Sequence, residues 1–366
     1  MCGGVRPCVL RGARSARGQG PQPGPAAVTG RAADLPSAIP PHVGPDSGAA
    51  LRPLRILSLT CGGYRGLFSA TVLVNLCRLA GVGASLDDRF EVFAGTSIGA
   101  VMACALAVGV TPQRVLDAID ANGPTVFEPR PMNKIKQLMA GAVYDSDRLS
   151  KAISESLGVH ASRPIRSVPV ALVVPAVNWS TGEAEIFMSA PLGEAHASDV
   201  SLHDVCMASA AAPTFFAPYR VEGAPMLDGG LVANNPDVLA LHEVLRRWPH
   251  AADRVEMLSI GTAGAGAVRL PDEADQGALA WARKLALFMI DVQEATAATQ
   301  ARRLLGDRYV RLNHDAAAGE LAFERLDLAS DAARTALMSA GQDIAQRAYV
   351  EHRAFIDRML SGLRAN

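Results

Sequence analysis

Leu54 to Leu73 reads LRILSLTCGGYRGLFSATVL. Leu54–Leu59 is short, mostly apolar and soon followed by glycine, the pattern of a buried strand. Thr60-Cys61-Gly62-Gly63-Tyr64-Arg65-Gly66 then makes a glycine turn, and Leu67–Leu79 carries apolar residues at helical spacing. A strand that ends in a glycine turn and opens a helix builds a site where backbone N–H groups can face a ligand.

A second copy of that arrangement follows. Phe90–Ala94 reads as a short strand, and Ile98–Val108 as a helix of small apolar residues buried on all sides. Between them lies Gly95-Thr96-Ser97-Ile98-Gly99, a G-x-S-x-G pattern with strand before and helix after. In that context the serine stands on a strained corner as a nucleophile. Gly95 and Gly99 remove side chains that would collide in the turn, and the helix dipole favours negative charge there. The first turn then has a use. Consecutive backbone amides aimed at a tetrahedral oxyanion are each worth about 3 kcal/mol in the transition state; glycines let that backbone approach closely, and Arg65 adds a nearby positive charge. A nucleotide-phosphate loop is the alternative reading, but the turn has no Lys followed by Ser or Thr, and Asp87 and Asp88 precede the next strand instead of ending it.

The third segment is Met226-Leu227-Asp228-Gly229-Gly230-Leu231-Val232-Ala233-Asn234-Asn235-Pro236. Asp228, held between apolar residues and a Gly-Gly turn, is a general-base candidate. Asn234 and Asn235 have the character of a turn and cap opening the next helix.

Further strands are expected at Val168–Val174, Glu185–Met188 and Val255–Ile260. Further helices are expected over Gln276–Leu305 and Asp331–Leu363, with Thr111 and Ser330 as N-caps. Strands alternating with helices imply an α/β sheet covered on both faces. The chain has 366 residues with 35 basic and 36 acidic side chains, so no bulk charge points to a nucleic acid polymer. Its six cysteines show no metal-ligand spacing; Cys77, Cys104 and Cys206 read as core residues, and a reducing, cytoplasmic setting follows. The apolar run Ile98–Val110 is shorter than the roughly 20 residues a membrane span needs. Residues 1–50 hold nine Gly and eight Pro with no apolar period, so they read as a disordered N-terminal extension before a single domain over 51–366.

Together the segments Thr60–Gly66, Gly95–Gly99 and Asp228–Gly230 resemble the patatin-like phospholipases, whose D-G-G-G-x-R-G, G-x-S-x-G and D-G-[GA] motifs come in this order. Ala208–Phe216 is similar to the family's stretch upstream of the aspartate. The likeness runs from about Leu54 to Thr262. It implies a three-layer α/β/α sandwich with a central, mostly parallel sheet and a helical C-terminal region. It also implies a Ser-Asp dyad with Ser97 as nucleophile and Asp228 as proton acceptor, an oxyanion hole at Cys61, Gly62, Gly63 and Arg65, motif glycines at Gly66, Gly95, Gly99, Gly229 and Gly230, and no metal. The chain departs from the family at Thr60, in place of aspartate, and at Cys61, in place of glycine; a left-handed backbone at Cys61 would cost about 1 kcal/mol or more. A triad using His242 or His314 is the alternative.

Within the family, Gly-Tyr-Arg-Gly-Leu-Phe is most similar to the effector phospholipases of bacterial cyclic-oligonucleotide antiphage systems (CBASS). That likeness implies phospholipid hydrolysis at the inner membrane surface, switched on by a cyclic dinucleotide such as 3′,3′-cyclic GMP-AMP, with the C-terminal helices as a place for regulation or homo-oligomerisation. The rivals are a constitutive lipid acyl hydrolase, an acyltransferase and a catalytically silent binding protein. For membrane contact, the expected stretches are Pro213–Tyr219 and Thr125–Lys136, with Phe127 and Met132; core packing is the competing reading of both.

Overall fold

The structure is a computed structural model that describes residues 52–83, 85–129, 141–193, 198–264, 278–316 and 319–362. The expected extension over 1–50, Met132, the first residues of the helix expected from Gln276, and Leu363 lie outside the described residues.

In chain order the first half runs β1 (Leu54–Leu59), α1 (Gly66–Leu79), β2 (Val92–Gly95), α2 (Ile98–Ala107), α3 (Pro112–Val126), α4 (Ser146–Leu157), β3 (Ala171–Asn178) and β4 (Glu183–Met188). The second half runs α5 (Leu202–Ser209), β5 (Tyr219–Val221), β6 (Ala224–Asp228), α6 (Gly230–Ala233), α7 (Asp237–Arg247), β7 (Val255–Ile260), α8 (Ala278–Leu305), β8 (Tyr309–Leu312), α9 (Leu321–Glu324), α10 (Asp331–Glu351) and α11 (Arg353–Leu360).

The eight strands lie in the order β5-β6-β3-β2-β1-β7-β8, with β4 paired to β3. Pairings from β3 through β8 along that order are parallel, and those of β4, β5 and β6 are antiparallel. The sheet is thus mostly parallel, and each central strand is buried on both faces, as such a sheet requires. The alternation of side chains divides β1 between two cores. Leu57 and Leu59 pack with α1, α2 and α10 on one face, whereas Ile56 packs with α7 and the end of α8 on the other. This is the expected three-layer α/β/α sandwich.

Residues 331–363, read as one helical stretch, form two helices because the chain breaks at His352, whose φ is −118°. Helix α10 approaches α1 so closely that a Cβ on Gly341 would lie 2.8 Å from Thr71 Cβ. The strand expected at 168–174 begins at Ala171, because Val168 closes the 3-10 turn Ile165–Ser167, and runs on to Asn178, because β4 and β6 pair along its second half. Thr111 and Ser330 cap their helices as expected, accepting from Arg114 N and Ala333 N.

Candidate active site

Strand register brings the three motifs to one level. Leu59 of β1 pairs with Gly95 of β2, so Cys61-Gly62 continues beside Ser97. Ala94 pairs with Val173 of β3, and Ala176, three residues further on, pairs with Asp228 at the end of β6. In a parallel sheet the carboxyl ends of the strands are where ligands bind.

Ser97 sits in the sharp corner between β2 and α2 with φ 56° and ψ −119°, a backbone that only a well-determined turn sustains. The glycines make that turn possible. A Cβ on Gly95 would lie 2.1 Å from the Gly99 carbonyl oxygen, and one on Gly99 would lie 2.2 Å from that of Leu59. A Cβ on Gly66 would strike Ile98, and one on Gly229 would lie 2.2 Å from the Pro175 oxygen.

Asp228 is buried, with 3% of its surface exposed. Its Oδ1 accepts from Gly230 N at 2.6 Å, and the Cys61 thiol stands 4.0 Å from the same oxygen. Oδ2 is buried and closes no hydrogen bond, although the Ser97 hydroxyl is near enough to stabilise the charged carboxylate. Burial dominates and pushes the Asp228 pKa up to about 6, against the hydrogen bond from Gly230 N–H and the nearby Ser97 hydroxyl, which both favour the charged form. Such loosely made contacts are usual in a catalytic pair without substrate.

The glycine turn is pinned from both sides. Cys61 N–H donates to Asn234 O at 2.9 Å, and Cys61 O accepts from Thr262 Oγ1 at 2.8 Å. Its backbone is not left-handed, so cysteine carries no conformational cost at this position; Gly63, with φ 57°, is the left-handed residue. The amides of Gly62 and Gly63 donate to no acceptor among the described residues, and neither does that of Ile98, which follows Ser97. The expected donor at Cys61 is therefore corrected: its N–H is already spent on Asn234, and the free donors begin at Gly62. Arg65 is buried beside the turn; its Nη1 donates to the carbonyls of Ala263 and Phe323, which anchor it, while its Nε has no hydrogen-bond partner among the described residues. Burial pushes the Arg65 pKa down, and burial together with Asp228 pushes the Cys61 thiol up, so the thiol is the protonated form.

Sequence reasoning noticed the segment Ala208–Phe216 without assigning its contacts. Ser209 Oγ accepts from Ser97 N at 3.0 Å and donates to Pro175 O at 2.7 Å, while Ser209 O and Ala211 O accept from Gly229 N and Asp228 N. One loop thereby bolts the nucleophile to the aspartate. The helix expected to open at Asn235-Pro236 starts at Asp237 with Pro236 as its N-cap, and the Asn235 side-chain oxygen accepts from Asp237 N at 3.2 Å just ahead of it; Asn234 instead turns to helix α8.

Ser97 and Asp228 lie on a cleft with walls that are almost wholly apolar. Leu149, Ala152 and Ile153 of α4 form one wall. Phe127, Phe215 and Phe216 line it too, with Tyr144 packed edge-on against Phe127 at 5.4 Å between centroids. Phe127, Phe215 and Phe216, expected at a membrane mouth, therefore belong to the cleft wall and a small core cluster, whereas Tyr219 packs on the main core beside His203 and donates to Asp204. Among the described residues no histidine lines this cleft; His242 is exposed beside Glu243, and the His314 ring packs on Phe323. Among the described residues no cluster could hold a metal ion, and no helix is long and apolar enough to cross a membrane.

Comparison with known proteins agrees with this geometry. Residues 57–241 match the patatin-like phospholipase family. A cGAMP-activated phospholipase of Pseudomonas aeruginosa is 31% identical over 299 residues, covering 80% of this chain and 88% of its own length. A protein of the same description from Vibrio cholerae is 36% identical, covering 58% of this chain and 64% of its own. One from Escherichia coli is 33% identical, covering 58% and 62%. With the family's motifs at the ends of its central strands and relatives named as phospholipases, the chain belongs to the patatin-like phospholipases, a family of hydrolytic enzymes.

Proposed function

We propose that this protein hydrolyses acyl esters of membrane phospholipids through a Ser97–Asp228 dyad, at the cytoplasmic membrane surface, and that a cyclic dinucleotide of the 3′,3′-cyclic GMP-AMP kind switches it on. The observation that carries the catalytic part is Asp228 Oδ2: buried, without a hydrogen-bond partner, and beside the serine on the strained corner. In this reading Oδ2 takes the Ser97 proton as Oγ attacks the ester carbonyl. The amides of Gly62 and Gly63 hold the oxyanion, and the proton passes to the leaving alkoxide of the lysolipid. Water then attacks the acyl-serine, giving its proton to Asp228; the acyl–Oγ bond breaks, the fatty acid leaves, and Asp228 passes the proton back to Ser97 Oγ. The apolar cleft supports an acyl chain as the group held beside Ser97. The names of the three bacterial relatives support the cyclic dinucleotide.

The test is fatty-acid release from phospholipid vesicles, with and without a panel of cyclic dinucleotides, using Ser97→Ala as the blank. Release that depends on one nucleotide and vanishes in Ser97→Ala is expected. Equal release without nucleotide makes the protein a constitutive hydrolase. Release by Ser97→Ala removes the dyad.

A further inference from the structure

The motif residues are fastened to a helix far along the chain. Gln293 and Glu294, adjacent on α8, both reach Asn234, in the loop that follows Asp228. Gln293 Oε1 accepts from Asn234 N at 2.6 Å, and Gln293 Nε2 donates to Val232 O at 2.9 Å. Glu294 Oε2 accepts from Asn234 Nδ2 at 2.7 Å. The chain of contacts then continues, because Asn234 O is the acceptor that holds Cys61 N–H.

Glu294 has a second connection. Its Oε1 accepts from Arg311 Nη2 at 2.6 Å, and Arg311 Nη1 donates to Thr60 Oγ1 at 3.3 Å and to Ser259 Oγ at 2.7 Å. Arg311 is buried, so its charge needs carboxylates, and Glu294 and Asp237 provide them. Thr60, one residue before the oxyanion turn, is neutral and offers the guanidinium only a hydroxyl. Glu294 thus supplies the negative charge on this side of Arg311 and at the same time grips Asn234. Both routes from α8 end at Thr60-Cys61, one on the Thr60 hydroxyl and the other on the Cys61 N–H, immediately before the free amides of Gly62 and Gly63.

We infer that Gln293 and Glu294 are positioning residues: through Asn234 and Arg311 they set the oxyanion amides relative to Ser97, so that the seating of α8 governs catalytic efficiency. The inference rests on the Ser97–Asp228 reading. Neither residue is on the cleft wall, so substrate binding does not depend on them directly. Displacing the donors by about 1 Å costs on the order of 100-fold in rate with little effect on ground-state binding.

The experiment uses the full chain with Gln293→Ala/Glu294→Ala, the volume-conserving single variant Gln293→Met, the exposed control Arg303→Ala, and Ser97→Ala. Two quantities are read. One is amide hydrogen exchange of the peptide over Thr60–Arg65. The other is kcat and KM on a soluble p-nitrophenyl acyl ester, with and without 3′,3′-cyclic GMP-AMP. Expected are faster exchange confined to this peptide and the Asn234 loop, kcat lower by about 10- to 100-fold, and KM within about twofold. Arg303→Ala should match the parent. Parent-like exchange at Thr60–Arg65 in a folded double variant, or a loss of kcat accompanied by faster exchange throughout the sheet, overturns the inference. If the double variant does not fold, Gln293→Met decides on the same readings. Ser97→Ala separates the two claims: hydrolysis surviving in it sinks the dyad, whereas an inert Ser97→Ala beside parent-like Gln293 and Glu294 variants sinks only the positioning role.

Discussion

Asp228→Asn should stabilise this protein while stopping its chemistry. Burial raises the Asp228 pKa from 3.8 to about 6, so the folded state binds this proton more tightly than the unfolded chain does. An acid with a raised folded pKa destabilises the fold in its charged form. That penalty is fully present above pH 6, shrinks as pH falls through the window between 6 and 3.8, and is absent below it. About two pKa units correspond to about 3 kcal/mol at pH 8. The asparagine amide, facing the same apolar surroundings as the unpartnered Oδ2, returns about 1–2 kcal/mol of this. A net gain of about 1–2 kcal/mol remains at pH 8, which is a rise in melting temperature of about 2–5 °C. At pH 4 the gain should vanish or reverse. Thermal unfolding of both proteins at pH 8 and pH 4, followed by circular dichroism, measures this. A shift of the same sign and size at both pH values would refute the reasoning, because the burial penalty on the carboxylate would then not exist.

Other expectations follow from the same geometry. The acid limb of kcat/KM should fall near pH 6, where Asp228 loses its proton; a limb near 4 would show a solvated carboxylate or another base. Gly99→Ala places a Cβ 2.2 Å from the Leu59 oxygen and 2.9 Å from that of Thr60, and neither is free to move. It should cost about 3 kcal/mol or more in urea unfolding and abolish hydrolysis, while Gly83→Ala, in open space, should change neither. Cys61→Gly should keep hydrolysis within about threefold, since the backbone contacts of residue 61 remain and no strain is relieved; a loss of 100-fold would give the thiol a role of its own.

The catalytic centre was more legible in the sequence than the layers around it. Leu54–Leu59 and Val255–Ile260 were readable to the residue because they are buried on both faces and show apolar runs that stop at a turn. Strands of three or four residues, such as Tyr219–Val221 and Tyr309–Leu312, carry too little pattern and exist because a neighbour pairs with them. Helix α4 could have been found: Asp145 caps it, and Leu149, Ile153 and Leu157 recur on one face of an otherwise polar stretch. Ser97 and Asp228 were visible through glycines whose absent side chains the turns require. Gln293 and Glu294 were not, because two polar residues in a long helix look like a solvated face until the fold sets them against Asn234. The same holds for Cys61, whose place in the glycine turn suggested a free amide donor, whereas the tertiary contact with Asn234 O consumes it.

The account stands most directly on the pairing of Ser97 with Asp228. A fluorophosphonate that labels activated serines should be incubated with the parent, Ser97→Ala and Asp228→Asn, the rate followed by mass spectrometry and the adduct mapped by peptide sequencing. One adduct is expected, on Ser97, absent from Ser97→Ala and formed at least about 100-fold more slowly in a folded Asp228→Asn. An adduct on another residue, or labelling of Asp228→Asn at the parent rate, would contradict it.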